Sequence, residues 1–333
     1  MRVGIIGTGW VTGLHLDALK NIEGTEVVAI AGRNTERAAE LGQPWKAKTY
    51  EQPLDMLQAE NLDAAFILLP PHLHGELERA CSEHVKGVLI EKPISQSLET
   101  AQAINSYFKQ AGTIVSVAYQ NRYRASVQRA KALLSQEGNQ GILAHGWWTT
   151  QMPPPLWWRT VDQSGGQFVE QCTHLLDICR YTMGDVEEVS AYRTRGFMTE
   201  VDNFTVDDAM VVNARFASGA LATFSTGCFP LGGHSESPGG GIGLSLSSRH
   251  HRIVLTGWGY EGTVHSGEEE RETIPSEDNI FEIQDRVFLE AVANNDLSAI
   301  LSSYEDSLKT LATTLAANES ARERNGEPVK VGL

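Results

Sequence analysis

A chain of 333 residues is long enough for two domains with a substantial core. Its 27 lysines and arginines stand against 42 aspartates and glutamates, a formal net charge of −15, and no dense positive block is available to neutralise a phosphate backbone. Nucleic acid is therefore not an expected partner. No apolar run is long enough to span a bilayer, the first apolar strand leaves no room for a secretory leader, and the 4 cysteines show neither disulfide-scaffold density nor paired C-x-x-C spacing. A cytoplasmic protein with no membrane partner is expected.

Arg2-Val3-Gly4-Ile5-Ile6 reads as a buried parallel strand and runs straight into Gly7-Thr8-Gly9-Trp10-Val11-Thr12-Gly13. In a dinucleotide site the first glycine permits the tight turn and the second lets backbone N–H groups approach a pyrophosphate at a helix N-terminus. Gly7 and Gly9 fit those roles, whereas Thr12 departs from G-x-G-x-x-G and Gly13 comes one place late. A helix is expected at about residues 14–21, a strand at Glu26–Ala31 and a helix at 35–41, a βαβ unit. A strand at 64–69, Pro70-Pro71, a helix at 73–82, a strand at Gly87–Ile90, a helix at Leu98–Ala111 and a strand at 113–118 continue the alternation.

This pattern calls for an α/β, doubly wound parallel sheet over residues 1–121, with ligands at the carboxyl ends of the strands. Residues 146–150, 186–194, 207–216, 220–226, 244–247 and 252–256 then read as strands with few helices between them. They predict an α+β domain over 122–333 with a large, mainly antiparallel open sheet. The glycine- and serine-rich stretch 232–243 is expected to be a loop, and helices at 281–293 and 303–322 close the chain.

Glu91-Lys92-Pro93 follows directly on a strand, at the edge where a doubly wound sheet holds its ligand. Pro93 fixes its own φ and biases Lys92 toward an extended conformation, which aims the ammonium; taken alone, the tripeptide reads better as a surface lysine at a strand end. Residues 165–177 suit one helix, which would set Glu170, His174 and Asp177 at i, i+4 and i+7 on one face. A carboxylate beside an imidazole orients it and raises its proton affinity, as a general acid/base requires, and a buried, hydrogen-bonded histidine is the plain alternative. A zinc site through Glu170, Cys172 and His174 fits less well, because Cys172 points off that face and no second ligand pair is in evidence; no metal is expected. Asn121, Arg122 and Tyr123 lie at the expected domain crossover as candidate substrate contacts. Trp157-Trp158-Arg159, behind Pro153-Pro154-Pro155, offers Trp158 as an aromatic wall for a sugar face, or equally as half of a buried pair or part of an arm at a subunit contact.

The glycine turn, Leu69-Pro70-Pro71-His72-Leu73-His74, Glu91-Lys92-Pro93, residues 165–177 and the closing stretch from Tyr304-Glu305-Asp306 to Ser320-Ala321 occur in that order. Over nearly the whole chain they resemble the Gfo/Idh/MocA oxidoreductases (glucose–fructose oxidoreductase, inositol dehydrogenase and rhizopine catabolism proteins). The resemblance implies a Rossmann dinucleotide-binding domain followed by a substrate-binding and oligomerisation domain. It also implies a homodimer or homotetramer formed through the C-terminal sheet, and hydride transfer between NAD or NADP and a carbinol or keto carbon of a sugar, cyclitol or related polyol.

By the same resemblance, Lys92 is the active-site lysine and His174 the proton-transfer histidine. Glu170 falls where the family more often has aspartate, and Leu69 replaces a small hydroxyl residue. Cofactor contacts are implied for Gly7, Gly9, Trp10, Val11, Thr12, Gly32, Arg33, Leu69, Pro70, His74, Glu91 and Lys92. Substrate contacts are implied for Lys92, Asn121, Arg122, Tyr123, Trp158, Glu170 and His174. In the expected chemistry His174 takes the hydroxyl proton, Lys92 stabilises charge on that oxygen, and Glu170 positions His174 or a neighbouring hydroxyl. A redox-assisted glycosidase is the same-fold alternative. A non-catalytic dinucleotide-binding regulator is the other, and it would need neither Lys92 nor His174.

Cofactor choice follows from the end of the second strand, Ala29-Ile30-Ala31-Gly32-Arg33-Asn34-Thr35, which has no carboxylate before Glu36. NAD-selective sites place an acidic residue there to bind the ribose 2′-hydroxyl. Gly32 leaves room and Arg33 suits pairing with a 2′-phosphate or stacking on adenine, so NADP is expected over NAD.

Overall fold

The structure, a computed structural model, describes residues 1–151, 155–229, 241–267, 270–277 and 279–333. They form two compact units that are not contiguous in sequence: Met1–Gln120 with Asn279–Leu308, and Asn121–Asp278 with Lys309–Leu333.

The first unit is built on a parallel sheet of β1 (Arg2–Ile6), β2 (Glu26–Ala31), β3 (Lys48–Tyr50), β4 (Ala64–Ile67), β5 (Gly87–Ile90) and β6 (Ile114–Val117). The strand order is β3-β2-β1-β4-β5-β6, so the chain reverses direction across the sheet between β1 and β4, the switch point where such sheets bind ligands. β4, β5 and β6 are buried along their whole length, which is why they read as unbroken apolar runs. β3 is a three-residue strand with two exposed side chains and carries no apolar period to reveal it. The first helix starts at Trp10, four residues earlier than expected, so Thr12 and Gly13 belong to its opening turns.

The segment 279–308 was expected in the second domain, and the structure returns it to the first unit. Its helix Ile280–Asn294 buries Ile280, Phe288, Leu289 and Val292, and these last three join the core of the parallel sheet. Gly87 makes room for this approach, since a Cβ there would lie 2.2 Å from Val292 Cγ2. An amphipathic helix shows in sequence that it covers an apolar surface, not which one.

In the second unit the described strands are β7 (Leu143–Gln151), β8 (Val186–Thr194), β9 (Ala209–Phe216), β10 (Leu221–Phe229), β11 (Gly241–Ser247), β12 (His251–Thr256), β13 (Glu261–Ser266), β14 (Glu270–Ile274) and β15 (Val329–Lys330). They make one mixed sheet in the order β14-β13-β12-β11-β7-β10-β9-β8-β15. β7 and β10 run parallel and every other described neighbour is antiparallel. Alternation is plain in β9, where Met210, Val212, Ala214 and Phe216 are buried while Val211, Asn213 and Arg215 face outward. The inward side chains pack with Leu175, Leu176 and Cys179 of the helix Thr173–Met183. Most of the expected glycine-rich loop lies outside the described residues, and its last residues, Gly241 to Gly243, already belong to β11. Gly243 is needed there: a Cβ would sit 2.0 Å from the Trp147 ring. Among the described residues no helix is long and apolar enough to cross a membrane.

Candidate active site

The turn after β1 requires glycine at its first position. Gly7 has φ +120°, and a Cβ would stand 2.3 Å from the Leu68 carbonyl oxygen. Gly9 caps the helix without a side chain, and no heavy atom lies within 4 Å of where its Cβ would be. The space before the helix N-terminus is thus open to a ligand that takes backbone N–H groups. Thr12 is fully buried, and its hydroxyl donates to the Gly7 carbonyl at 3.1 Å while its N–H bonds to Gly9 O at 3.2 Å. The Thr12 side chain is an internal brace of the turn, which accounts for threonine in the third position. Trp10 is 74% exposed and Val11 half-buried.

At the end of β2, Gly32 donates its N–H to Tyr50 O at 2.9 Å, and a Cβ there would meet Thr8 Cγ2 at 2.7 Å. Arg33 is exposed and makes no hydrogen bond or ion pair among the described residues. Asn34 caps the next helix, accepting from Arg37 N at 2.9 Å. Leu69 and Pro70, half-buried, follow β4. His74 was expected to contact the cofactor, yet both ring nitrogens are engaged inside the loop, Nδ1 with Glu78 and Nε2 with Leu69 O at 3.2 Å. Glu78 also accepts the Gly75 N–H at 2.6 Å, so this histidine holds the loop together and the helix begins only at Glu76.

Glu91 extends the β4–β5 pairing by donating its N–H to Ile67 O at 2.9 Å, which places Lys92 at the carboxyl end of the sheet. Glu91 is buried, and its Oε2 accepts the Lys92 N–H at 3.1 Å. Its Oε1 lies 3.6 Å from Nε2 of His15, whose Nδ1 is 2.8 Å from Asp285 Oδ2. Burial alone would lower the affinity of His15 for a proton, but the Asp285 and Glu91 carboxylates outweigh it and push the imidazole up to about 9. Neither His15 nor Asp285 was singled out from the sequence. The available signal was ionisable residues on the buried stripes of the helices Trp10–Leu19 and Ile280–Asn294.

In the second unit, residues 165–177 are not one helix. Gly165 and Gly166 take positive φ, a short helix spans Gln167–Glu170, and the chain then turns through Gln171 and Cys172 before Thr173–Met183. Both Gln171 N–H and Cys172 N–H bond to Gln167 O, and His174 N–H bonds to Gln171 O instead of Glu170 O, so the i, i+4, i+7 face does not exist. Glu170 is buried at the end of the short helix. The His174 ring, 7% exposed, has Nδ1 3.5 Å from Asn121 Nδ2, and the Trp148 indole stacks over it at 5.9 Å and 17°.

Asp177 takes a different partner. It holds Arg122 Nε at 2.7 Å and Nη2 at 2.6 Å, and Thr310 donates to it at 3.0 Å. Arg122, expected at the substrate, is therefore a 3% exposed core residue. Asn121 Oδ1 accepts from Arg124 Nε at 2.8 Å, and Tyr123 is half-buried in the turn Gln120–Tyr123. Trp158 is half-buried and edge-on to Trp157 at 5.3 Å, while Pro153 and Pro154 lie outside the described residues. The ring stacked on His174 is Trp148, and Trp258 stands edge-on to Trp148 at 5.6 Å. Trp148 was legible only as an inward position on β7.

A switch-point sheet with an open glycine turn is the framework of a dinucleotide-binding protein, and the second unit holds a buried histidine with a broad mixed sheet. Residues 1–119 match the oxidoreductase family with an NAD-binding Rossmann fold, and residues 127–243 match the GFO/IDH/MocA C-terminal domain. The chain belongs to the Gfo/Idh/MocA family of NAD(P)-dependent oxidoreductases.

It is 31% identical over 226 residues to a myo-inositol 2-dehydrogenase of Thermotoga maritima, covering 66% of each chain. To the scyllo-inositol 2-dehydrogenase (NAD(+)) of Bacillus subtilis it is 28% identical over 200 residues, 58% of this chain and 57% of that one. The match thus spans between 57% and 66% of the length of these relatives. A levoglucosan dehydrogenase in complex with NADH and levoglucosan shares the fold, with a TM-score of 0.83, 21% identity, and coverage of 100% of this chain and 99% of that one.

Proposed function

We propose that the protein is a dehydrogenase or reductase that moves a hydride between a nicotinamide cofactor and a carbinol or keto carbon of a sugar, cyclitol or related polyol. The observation that carries this reading is the pairing of family membership with two chemically competent side chains: Lys92 at the carboxyl end of β5, and the buried His174 beside Asn121 and Trp148. The inositol dehydrogenase relatives support the substrate class.

The residues present fit a dinucleotide, since the open space at Gly9 and the glycine-only turn at Gly7 form a cradle that a side chain would fill. The bound nicotinamide supplies the hydride acceptor or donor. His174 takes or returns the hydroxyl proton, and Lys92 donates to the substrate oxygen and stabilises charge developing there. Glu170, buried in the same segment as His174, orients a neighbouring hydroxyl or the imidazole. Asn121, Tyr123 and Trp158 remain proposed substrate contacts. Lys92→Ala and His174→Ala test the assignment in a polyol screen followed at the nicotinamide absorbance. Each should lower kcat by orders of magnitude with cofactor Kd nearly unchanged, and near-normal turnover in either would refute it.

NADP is the proposed preferred cofactor. Arg33 follows β2 as an exposed cation, and the first acid beyond it, Glu36, lies in the next helix. The outward face of the second sheet carries Tyr192 beside Val211 and Leu143 beside Leu221, each exposed and paired across strands. This apolar face supports a homodimer or homotetramer formed through the sheet, with the second unit as substrate-binding and oligomerisation domain. Light scattering at micromolar concentration should find no stable monomer. The four free, buried cysteines suit the reducing cytoplasm proposed as its compartment.

A further inference from the structure

His15 is fully buried on the helix Trp10–Leu19, with a carboxylate facing each ring nitrogen. Nδ1 donates to Asp285 at 2.8 Å and 3.0 Å, and Nε2 points to Glu91 Oε1 at 3.6 Å, an ion-pair separation longer than a hydrogen bond. A carboxylate can only accept, so Asp285 fixes a proton on Nδ1, and the Glu91 carboxylate at ion-pair distance favours a second on Nε2, the imidazolium. Phe66 and Phe281 stand edge-on to the ring at 5.5 Å and 5.1 Å and close it off from water. Among the described residues the charged groups facing His15 are Asp285, from the helix Ile280–Asn294, and Glu91, at the end of β5; β4 contributes the Phe66 ring, and Gln284 lies beside Asp285. The second oxygen of Glu91 accepts the Lys92 N–H at 3.1 Å.

We propose that Asp285 and His15 are a buried positioning pair that sets the Glu91 carboxylate and, through its bond to the Lys92 N–H, fixes the backbone from which the active-site lysine projects. Neither residue touches substrate or cofactor. The proposal rests on the reading of Lys92 given above, but its first readout does not depend on that reading.

Because the two carboxylates hold His15 at about 9, the imidazolium persists through neutral pH and is lost only in alkali, when Glu91 loses its counter-ion. Removing the charge of Asp285 leaves burial less opposed, which moves that loss toward neutrality.

The test uses full-length protein labelled with 15N-lysine and 15N-histidine. In the wild type the His15 ring nitrogens and the Lys92 amide should titrate together near the alkaline midpoint. Asp285→Asn should move both midpoints down by at least one pH unit. Glu91→Gln, a second variant should the first fail to fold, should lower the His15 midpoint and abolish the Lys92 response. A Lys92 amide indifferent to His15 titration, or a neutral His15 at pH 7, overturns the proposal. In catalysis, the alkaline limb of kcat should shift down with the same midpoint in Asp285→Asn, whereas an equal fall at every pH would mark a merely structural role. If Lys92→Ala retains turnover, the lysine assignment fails while the coupled titration still decides this one.

Discussion

Arg122 and Asp177 face each other as a two-pronged ion pair, with both side chains at most 4% exposed. The guanidinium fork matches the carboxylate geometry, and Thr310 satisfies a further lone pair at 3.0 Å. Tyr181 lies under the guanidinium at 5.2 Å. This pair removes Asp177 from any role beside His174 and anchors the helix Thr173–Met183, which carries His174, to the turn that carries Asn121.

Breaking such a pair from one side leaves an uncompensated buried charge. Arg122→Ala or Asp177→Asn should destabilise the protein by about 3–5 kcal/mol, read as a lowered denaturant midpoint. A substrate-binding arginine would behave differently, raising KM with the midpoint unchanged, and that result would return Arg122 to the substrate.

The two glycines of the first turn should separate fold from cofactor binding. Gly7→Ala forces a Cβ against the Leu68 carbonyl at a φ that alanine avoids, so stability and binding should fall together. Gly9→Ala meets no protein atom within 4 Å and has an ordinary φ of −73°. Its melting temperature should stay within about 1 °C of wild type, while the methyl group obstructs the cradle and raises the cofactor Kd roughly tenfold or more, an interaction loss of about 1.4 kcal/mol. Unchanged cofactor titrations of Gly9→Ala would place the pyrophosphate elsewhere.

Arg33→Ala should weaken NADP binding roughly tenfold while changing NAD binding by less than about threefold, because only the 2′-phosphate needs the charge. The ratio of kcat/KM for the two cofactors in the wild type decides the preference. A wild type that favours NAD would leave Arg33 stacking on adenine at most.

Stability should depend on pH through His15. Its folded value, about 9, lies above the unfolded 6.5, so its stabilising contribution is complete below pH 6.5 and is lost as pH rises through about 9. Relative to His15→Gln, wild-type unfolding free energy should decline across that window by at most about 1.4 kcal/mol per pH unit, the limit for one proton. Parallel denaturant midpoints for the two proteins from pH 6 to 9.5 would show that folding does not raise the proton affinity of His15.

Locally encoded features were legible in the sequence. Glu26–Ala31, Gly87–Ile90, Leu98–Ala111 and Val186–Thr194 form at the expected bounds, because a strand of β-branched residues or a capped, periodic helix carries its own signal. β13 and β14, reading Glu-Gly-Thr-Val-His-Ser and Glu-Arg-Glu-Thr-Ile, are too polar to stand out and become strands by pairing with a sheet already formed.

For the site, the chain alone determined that a glycine turn follows the first strand, that Lys92 follows a buried strand, and that His174 and Glu170 share a segment, since each depends on neighbours in sequence. Tertiary structure decided the partners. Asp177 binds Arg122, 55 positions away, and His15 binds Asp285, 270 positions away. His74 closes its own loop, and Trp148 comes to His174, on a helix, from the strand β7. A charged or aromatic side chain names the kind of partner it needs, but which one it meets depends on how each unit folds distant elements together within itself, and no local pattern records that.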